Sequence, residues 1–166
     1  MQTEVAPSVL DGWLKLWADE NNMPTALHTR LRPVSAGSDF LELSLLDSSG
    51  AKAANVVFAD LQDRNGNKVL SIRDQNTFDL SLRRKRLMTL AHVFLIHRYK
   101  SGSVHYLSPT DDNRHQTERM KVLGIFGNVN TEGGLIITAT VEGRRIAELL
   151  NPDRAALRRL IAKGPA

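Results

Sequence analysis

Residues 104–126 read VHYLSPTDDNRHQTERMKVLGIF, and they decide the fold. Val104-His105-Tyr106-Leu107 is a strand pattern. Pro109-Thr110-Asp111-Asp112 turns the chain and caps a helix over Asn113–Leu123. Gly124 is the stop signal of that helix. Ile125–Val129 returns to a strand. A strand, a helix and a strand in this order make a crossover, and a crossover implies a sheet that is not purely antiparallel.

Upstream, the pattern is a meander. Phe40–Leu45, Ala53–Leu61 and Lys68–Arg73 read as three strands. Arg64-Asn65-Gly66-Asn67 joins the last two, because Asn-Gly tolerates the positive φ angles of a type I′ turn. Asp74–Leu82 reads as a polar loop. Leu87–Ile96 (LMTLAHVFLI) is apolar nearly all round, so it is expected to be a buried helix that Gly102 closes. At the N-terminal end, Ser8–Glu20 reads as a helix capped by Ser8, with Asp11 as its capping-box partner. Leu10, Trp13, Leu14 and Trp17 fall on one face of it. Pro24–Arg32 reads as a second short helix ended by Pro33. Downstream come a strand Leu135–Val141, a helix Arg144–Leu150, and a last helix Asp153–Lys163 capped at Asn151.

The expected order is α-α-β-β-β-α-β-α-β-β-α-α. It describes one α/β (α+β) domain over 1–166, with a mixed, mostly antiparallel sheet and helices on both faces. Helices occupy 1–35, a core 36–141, and helices again 142–166.

The 166 residues suit one domain that needs no staple. The chain has no cysteine, which removes disulfides, thiolate metal sites and cysteine nucleophiles together. No apolar run approaches a membrane span, and the first residues lack a signal-peptide core. A cytoplasmic location is expected, with no membrane partner. The net charge is +4, and 15 of the 22 basic residues are Arg. Residues 73–100 hold seven basic residues against two acidic ones, which points to an anionic partner. Nucleic acid is not favoured, because only three aromatic residues, Phe78, Phe94 and Tyr99, accompany the basic run Arg83-Arg84-Lys85-Arg86 and no binding motif is legible.

The element order resembles the Gcn5-related N-acetyltransferase fold with its first strand missing or disguised. Asn113, the positions three and seven residues later (Gln116, Met120), and Gly124-Ile125-Phe126 match the spacing of that superfamily's Asn…Tyr…Gly-Phe motif. A second resemblance covers the chain from about Phe40 onward. RDQNTFDLSLRRKRLMTLAHVFLIHRYKSGSVHYLSPTDDN, QTERMKVLGIF and IAELLNPDRAALRRLI resemble the C-terminal extension of the long form of isocitrate lyase. That resemblance implies a regulatory domain that responds to acetyl-CoA or propionyl-CoA and controls an isocitrate lyase of the glyoxylate and methylcitrate pathways. The implied partners are the acyl-CoA, the lyase's catalytic barrel and a second copy of this domain. The lyase's Lys-Lys-Cys-Gly-His motif has no place in a chain without cysteine, so no lyase chemistry is expected of this chain alone.

The acetyltransferase resemblance also implies where an acyl-CoA binds. The end of the fourth strand (Leu70, Ser71, Ile72, Arg73) pairs with the pantetheine arm. The start of the following helix holds the pyrophosphate. Arg83, Arg84, Lys85 and Arg86 supply charge for the 3′-phosphate. Asn113, Gln116 and Met120 face the ligand from the next helix. Two departures stand out. The superfamily's Arg/Gln-x-x-Gly-x-Gly/Ala turn, aligned from Arg83, has Arg86 and Met88 at its glycine positions. Met120 stands where the superfamily has the Tyr that protonates the leaving thiolate, so acetyl transfer is expected to be lost. An active acetyltransferase is the alternative.

No metal site is expected: Thr110-Asp111-Asp112-Asn113 reads as a helix cap, and His92 and His97 are not spaced as a ligand pair. Ser81, Ser103 and Ser108 lack a nucleophile elbow.

Overall fold

The computed structural model describes residues 6–83 and 85–162. Its elements are α1 (Ser8–Glu20), β1 (His28–Pro33), β2 (Leu41–Leu46), β3 (Lys52–Gln62), β4 (Lys68–Thr77), α2 (Leu87–Tyr99), β5 (Ser103–Leu107), α3 (Asp111–Val122), β6 (Phe126–Glu132), β7 (Ile136–Val141), α4 (Gly143–Leu149) and α5 (Ala155–Ala162). A single 3-10 turn, Leu80–Leu82, stands between β4 and α2.

The strands form one sheet in the order β1-β2-β3-β4-β5-β7-β6. Every neighbouring pair is antiparallel except β4 and β5. The crossovers β4-α2-β5 and β5-α3-β6 run the same way along the sheet. The right-handed rule therefore puts α2 and α3 on one face.

The core confirms this. Leu43, Leu45, Val56, Phe58, Leu70, Ile72, Val104, Tyr106, Ile137 and Ala139 are opposed in register, and they join residues of all five helices in one cluster. Ala59 and Val69 point to the opposite face and are buried outside that cluster. The fold class stands as read, with its helical layer on one face rather than two. Trp13 of α1 meets Phe94 of α2 edge-to-face, with ring centroids 6.1 Å apart.

Four local readings are corrected. Residues 28–33 are a strand, not the end of a helix. Thr29 and Leu31 face Leu45 and Leu43 of the core side, and Asp11 fixes Thr29 by accepting from its amide and its hydroxyl, both at 2.8 Å. Asp11 is therefore a strand clamp, and Pro7, without any side-chain bond, is the N-cap of α1 in place of Ser8. A strand thus precedes the meander, disguised in the sequence by its flanking prolines and its two arginines.

Second, the stretch read as a loop from Asp74 is strand to Thr77, paired with Ala54–Val57. The register shift between Val57 and Phe58 absorbs Arg73 as an extra residue, so periodicity breaks there. Third, the 64–67 hairpin is a type I turn closed by Gly66 at φ +80°, with the Asp63 carboxylate accepting from the Asn65 and Asn67 amides. Fourth, α5 starts at Ala155, not Asp153. Arg154 takes φ +59°, and Asp153 Oδ1 accepts from the Ala155 amide at 2.9 Å. The expected end of that helix at Lys163 lies outside the described residues.

Candidate functional site

Only four residues hold β4 to β5: Val69–Ile72 against Ser103–Tyr106. Beyond Ile72 the two strands part, and β4 continues to Thr77 paired with β3 alone. Its other edge there carries backbone groups with no strand partner, which is a ready template for an extended ligand. Leu70 and Ile72 lie upstream of the split with their side chains in the core, and Ser71 faces the other side of the sheet. Arg73 sits at the split, with its guanidinium 4.6 Å from the centre of the Phe40 ring. The open backbone is therefore Arg73–Thr77, one step beyond the segment the sequence singled out. Asp, Gln and Asn are poor strand formers, and that composition hid it.

From Thr77 the chain bends toward α2. Phe78 and Leu80 stay exposed at this bend. Arg83 is exposed, and Arg84 lies outside the described residues. The carbonyl of Lys85 accepts a 2.8 Å hydrogen bond from Trp17 Nε1, which pins the basic turn to α1. Arg86 takes φ +62°, the left-handed conformation that glycine adopts freely. The turn thus keeps the backbone shape of a glycine turn without the glycine. The Arg86 guanidinium donates to the carbonyl of Leu160 at 2.9 Å, tying α2 to α5. Burial lowers its pKa, and the like charge of Arg119 pushes the same way. Arg83, not Arg86, is the described cation of this run that stays exposed.

Arg86→Ala should cost about 1 kcal/mol, the bond to Leu160. Arg86→Gly should cost less, because relief of the left-handed strain, about 1 kcal/mol, offsets that loss. Urea titrations that rank the glycine variant below the alanine variant would contradict this account.

The N-terminus of α2 has no side-chain cap and no acidic residue in its first turn. Among the described residues, the amides of Leu87, Met88 and Thr89 find no acceptor. Free amides and the helix dipole make this end electropositive, and the basic turn adds to it.

Across the split lies α3. Asn113 closes a capping box: its amide donates to Thr110 Oγ1 at 3.2 Å, and its Oδ1 accepts from the Thr110 amide at 2.9 Å. Gln116 is only 8% exposed, and its Oε1 accepts from Gln75 Nε2 at 2.7 Å. Met120 is fully buried. The sequence reading missed Gln75. Its polar neighbours made the whole segment look like a loop.

The chain is 53% identical over 163 residues to a putative isocitrate lyase subunit of Mycobacterium tuberculosis strain H37Rv, covering 98% of this chain and 41% of that protein. The same identity, over the same share of this chain, relates it to isocitrate lyase 2 of the M. tuberculosis Erdman strain, of which it spans 21%. This chain is similar to one segment of those isocitrate lyases. It spans between about a fifth and two fifths of the length of these relatives. No family model matches. Among solved structures, apo FdhC, a nucleotide-linked sugar GNAT, is similar with a TM-score of 0.49 and 10% identity, over 92% of each chain. An acetyltransferase of the GNAT family from Staphylococcus aureus Mu50 has a TM-score of 0.45 and 11% identity, over 84% of this chain and 98% of that one. No helix among the described residues is long and apolar enough to cross a membrane.

Proposed function

We propose that this chain is a non-catalytic regulatory domain that binds acetyl-CoA or propionyl-CoA and thereby controls an isocitrate lyase of the glyoxylate and methylcitrate pathways. One observation carries the reading: the open edge of β4 at Arg73–Thr77 leads into the uncapped, basic N-terminus of α2. A ligand that is extended and amide-bearing at one end and polyanionic at the other fits that sequence of groups. The pantetheine arm pairs along β4, the pyrophosphate meets the amides of Leu87–Thr89, and Arg83 and Arg84 meet the 3′-phosphate. The similarity to a segment of much longer isocitrate lyases supports the catalytic barrel as the controlled partner. The buried thioether of Met120 has no proton to give, so acetyl transfer is not part of the reading.

The control acts through differential affinity. The acyl-CoA shifts the lyase only as far as it binds one arrangement of the assembly better than another, typically about 1–3 kcal/mol. Calorimetry of the purified domain with acetyl-CoA, and with free CoA as control, tests the first step. At about 100 times Kd the ligand should add about 2.7 kcal/mol of stability. Arg83→Ala combined with Arg84→Ala should weaken CoA much more than dephospho-CoA. Equal losses for the two ligands would move these cations to the pyrophosphate. Absence of binding at millimolar acetyl-CoA would end the proposal.

A further inference from the structure

We infer that the cavity between the start of α1, the end of α2 and the α4–α5 loop binds an amphiphilic monocarboxylate, a small acid with an apolar tail. The cavity has a volume of about 320 Å³, at the lower end of the volumes that hold small ligands. Trp13, Leu149 and Leu157 give it apolar walls. Its polar lining is His97, Asn151 and Arg154, and the lining contains no acidic side chain. The cavity lies apart from the acyl-CoA site of the proposed function. His97 stands in the last turn of α2, roughly 15 Å along the helix from Leu87.

The polar groups of this cavity offer donors and lack an acceptor. The Arg154 amide donates to the Asn151 carbonyl at 2.9 Å, with Arg154 at φ +59°, and this fixes the residue at the rim. Its guanidinium has no hydrogen bond or ion pair among the described residues. The neighbouring Asp153 carboxylate accepts from the Ala155 amide instead. Asn151 Oδ1 already accepts from the Asp153 amide at 3.2 Å, which leaves Asn151 Nδ2 to donate. The half-buried ring of His97 has no hydrogen-bond partner among the described residues. Burial, and then Lys100, lower its pKa, so at pH 7 it is neutral and brings one N–H. Arg154 is therefore the one permanent cation of the lining. Its planar fork matches the two oxygens of a single carboxylate. A phosphate ester carries more charge and hydration than one cation and apolar walls replace. A neutral apolar molecule leaves the guanidinium without an acceptor. A carboxylate with an apolar tail satisfies both halves of the cavity, its oxygens on Arg154 and Asn151 and its tail against Trp13 and Leu157.

The probe is hexanoate, and the readout is NMR of the indole N–H groups of the chain's two tryptophans. Trp13 lines the cavity, whereas Trp17 Nε1 donates to the Lys85 carbonyl in the basic turn. The variant Trp13→Phe assigns the two signals. Hexanoate should move the Trp13 signal, leave that of Trp17 in place, and bind with a Kd below about 1 mM. Hexanol lacks the charge and acetate lacks the tail, so each should bind at least about tenfold more weakly. Arg154→Gly removes the guanidinium and takes φ +59° without strain, so the fold is kept. It should weaken hexanoate about tenfold and leave hexanol unchanged. Arg154→Asn, which also tolerates this φ, should do the same. The inference is overturned if hexanoate at about 10 mM moves neither signal, or moves that of Trp17 instead. It is equally overturned if hexanol binds as tightly as hexanoate, or if both Arg154 variants bind hexanoate as the wild-type chain does. None of these outcomes touches the acyl-CoA reading, which calorimetry with acetyl-CoA decides on its own.

Discussion

Trp17→Ala should remove about 3–5 kcal/mol of stability, out of the roughly 5–15 kcal/mol that a domain usually has. Trp17 is fully buried in the shared cluster of α1, α2 and α5. Its loss opens a cavity that three helices would have to collapse into. Its indole N–H also makes the 2.8 Å bond to Lys85, so the same change leaves a carbonyl of the basic turn without its donor. Trp17→Phe separates the two effects. It keeps most of the packing, loses the hydrogen bond, and should cost about 1–2 kcal/mol. If the turn must be held in place to meet phosphates, Trp17→Phe should also weaken acetyl-CoA binding although no atom of Trp17 touches the ligand. A loss below about 1 kcal/mol for the alanine variant in urea titrations would show that α1 is an appendage rather than part of the core.

The two tryptophans were legible in the sequence as a face that had to dock, because helical spacing survives any tertiary context. What they dock on was not. The contact to Lys85 spans 68 residues, and no local pattern encodes it. The same contrast runs through the fold. The strand, turn and helix of 103–122 were readable because Thr110 and Asn113 cap locally. β1 was not, because two prolines around a short stretch that carries Arg30 and Arg32 mimic a helix with breakers, and only its pairing with β2 makes it a strand. The extension of β4 past Arg73 failed for a related reason: the extra residue at the register shift resets the alternation that identifies a strand.

The candidate site divides along the same line. Residue chemistry identified the basic run. It could not distribute the run's cations. Arg86 turns away to the Leu160 carbonyl and Arg83 stays in solvent, which depends on where α5 packs. Nor could it find Gln75, whose partner is 41 residues away on another element.

His92 supplies the last prediction: stability should fall between about pH 6.5 and pH 4 through a single buried imidazole. His92 is fully buried in α2. Its Nδ1–H donates to the Met88 carbonyl at 2.9 Å, so Nε2 is the bare nitrogen, and it has no partner. The ring stacks on Tyr106 at 5.9 Å, and burial pushes that phenol's pKa up. Burial lowers the His92 pKa to about 4, and the bond to Met88 only partly offsets it. The unfolded chain has an ordinary histidine near 6.5. Between those values the unfolded state binds the extra proton and the native state does not. Stability is therefore complete above about pH 6.5 and is lost as the pH falls, the loss reaching roughly 3 kcal/mol near pH 4. His97 is lowered in the same direction, by burial and then by Lys100, so the measurement must be a difference between variants. The carboxylates act lower on the scale. A hydrogen bond from the Ser49 hydroxyl holds Asp47 below its usual range, and one from the Asn67 amide does so for Asp63. Urea titrations of the wild-type chain and His92→Leu at pH 7.5 and pH 5 give the test. The wild-type chain should lose about 2 kcal/mol more than the variant between those two pH values. Equal losses would mean that the buried imidazole takes up a proton without cost, and that Nε2 finds an acceptor in the folded protein.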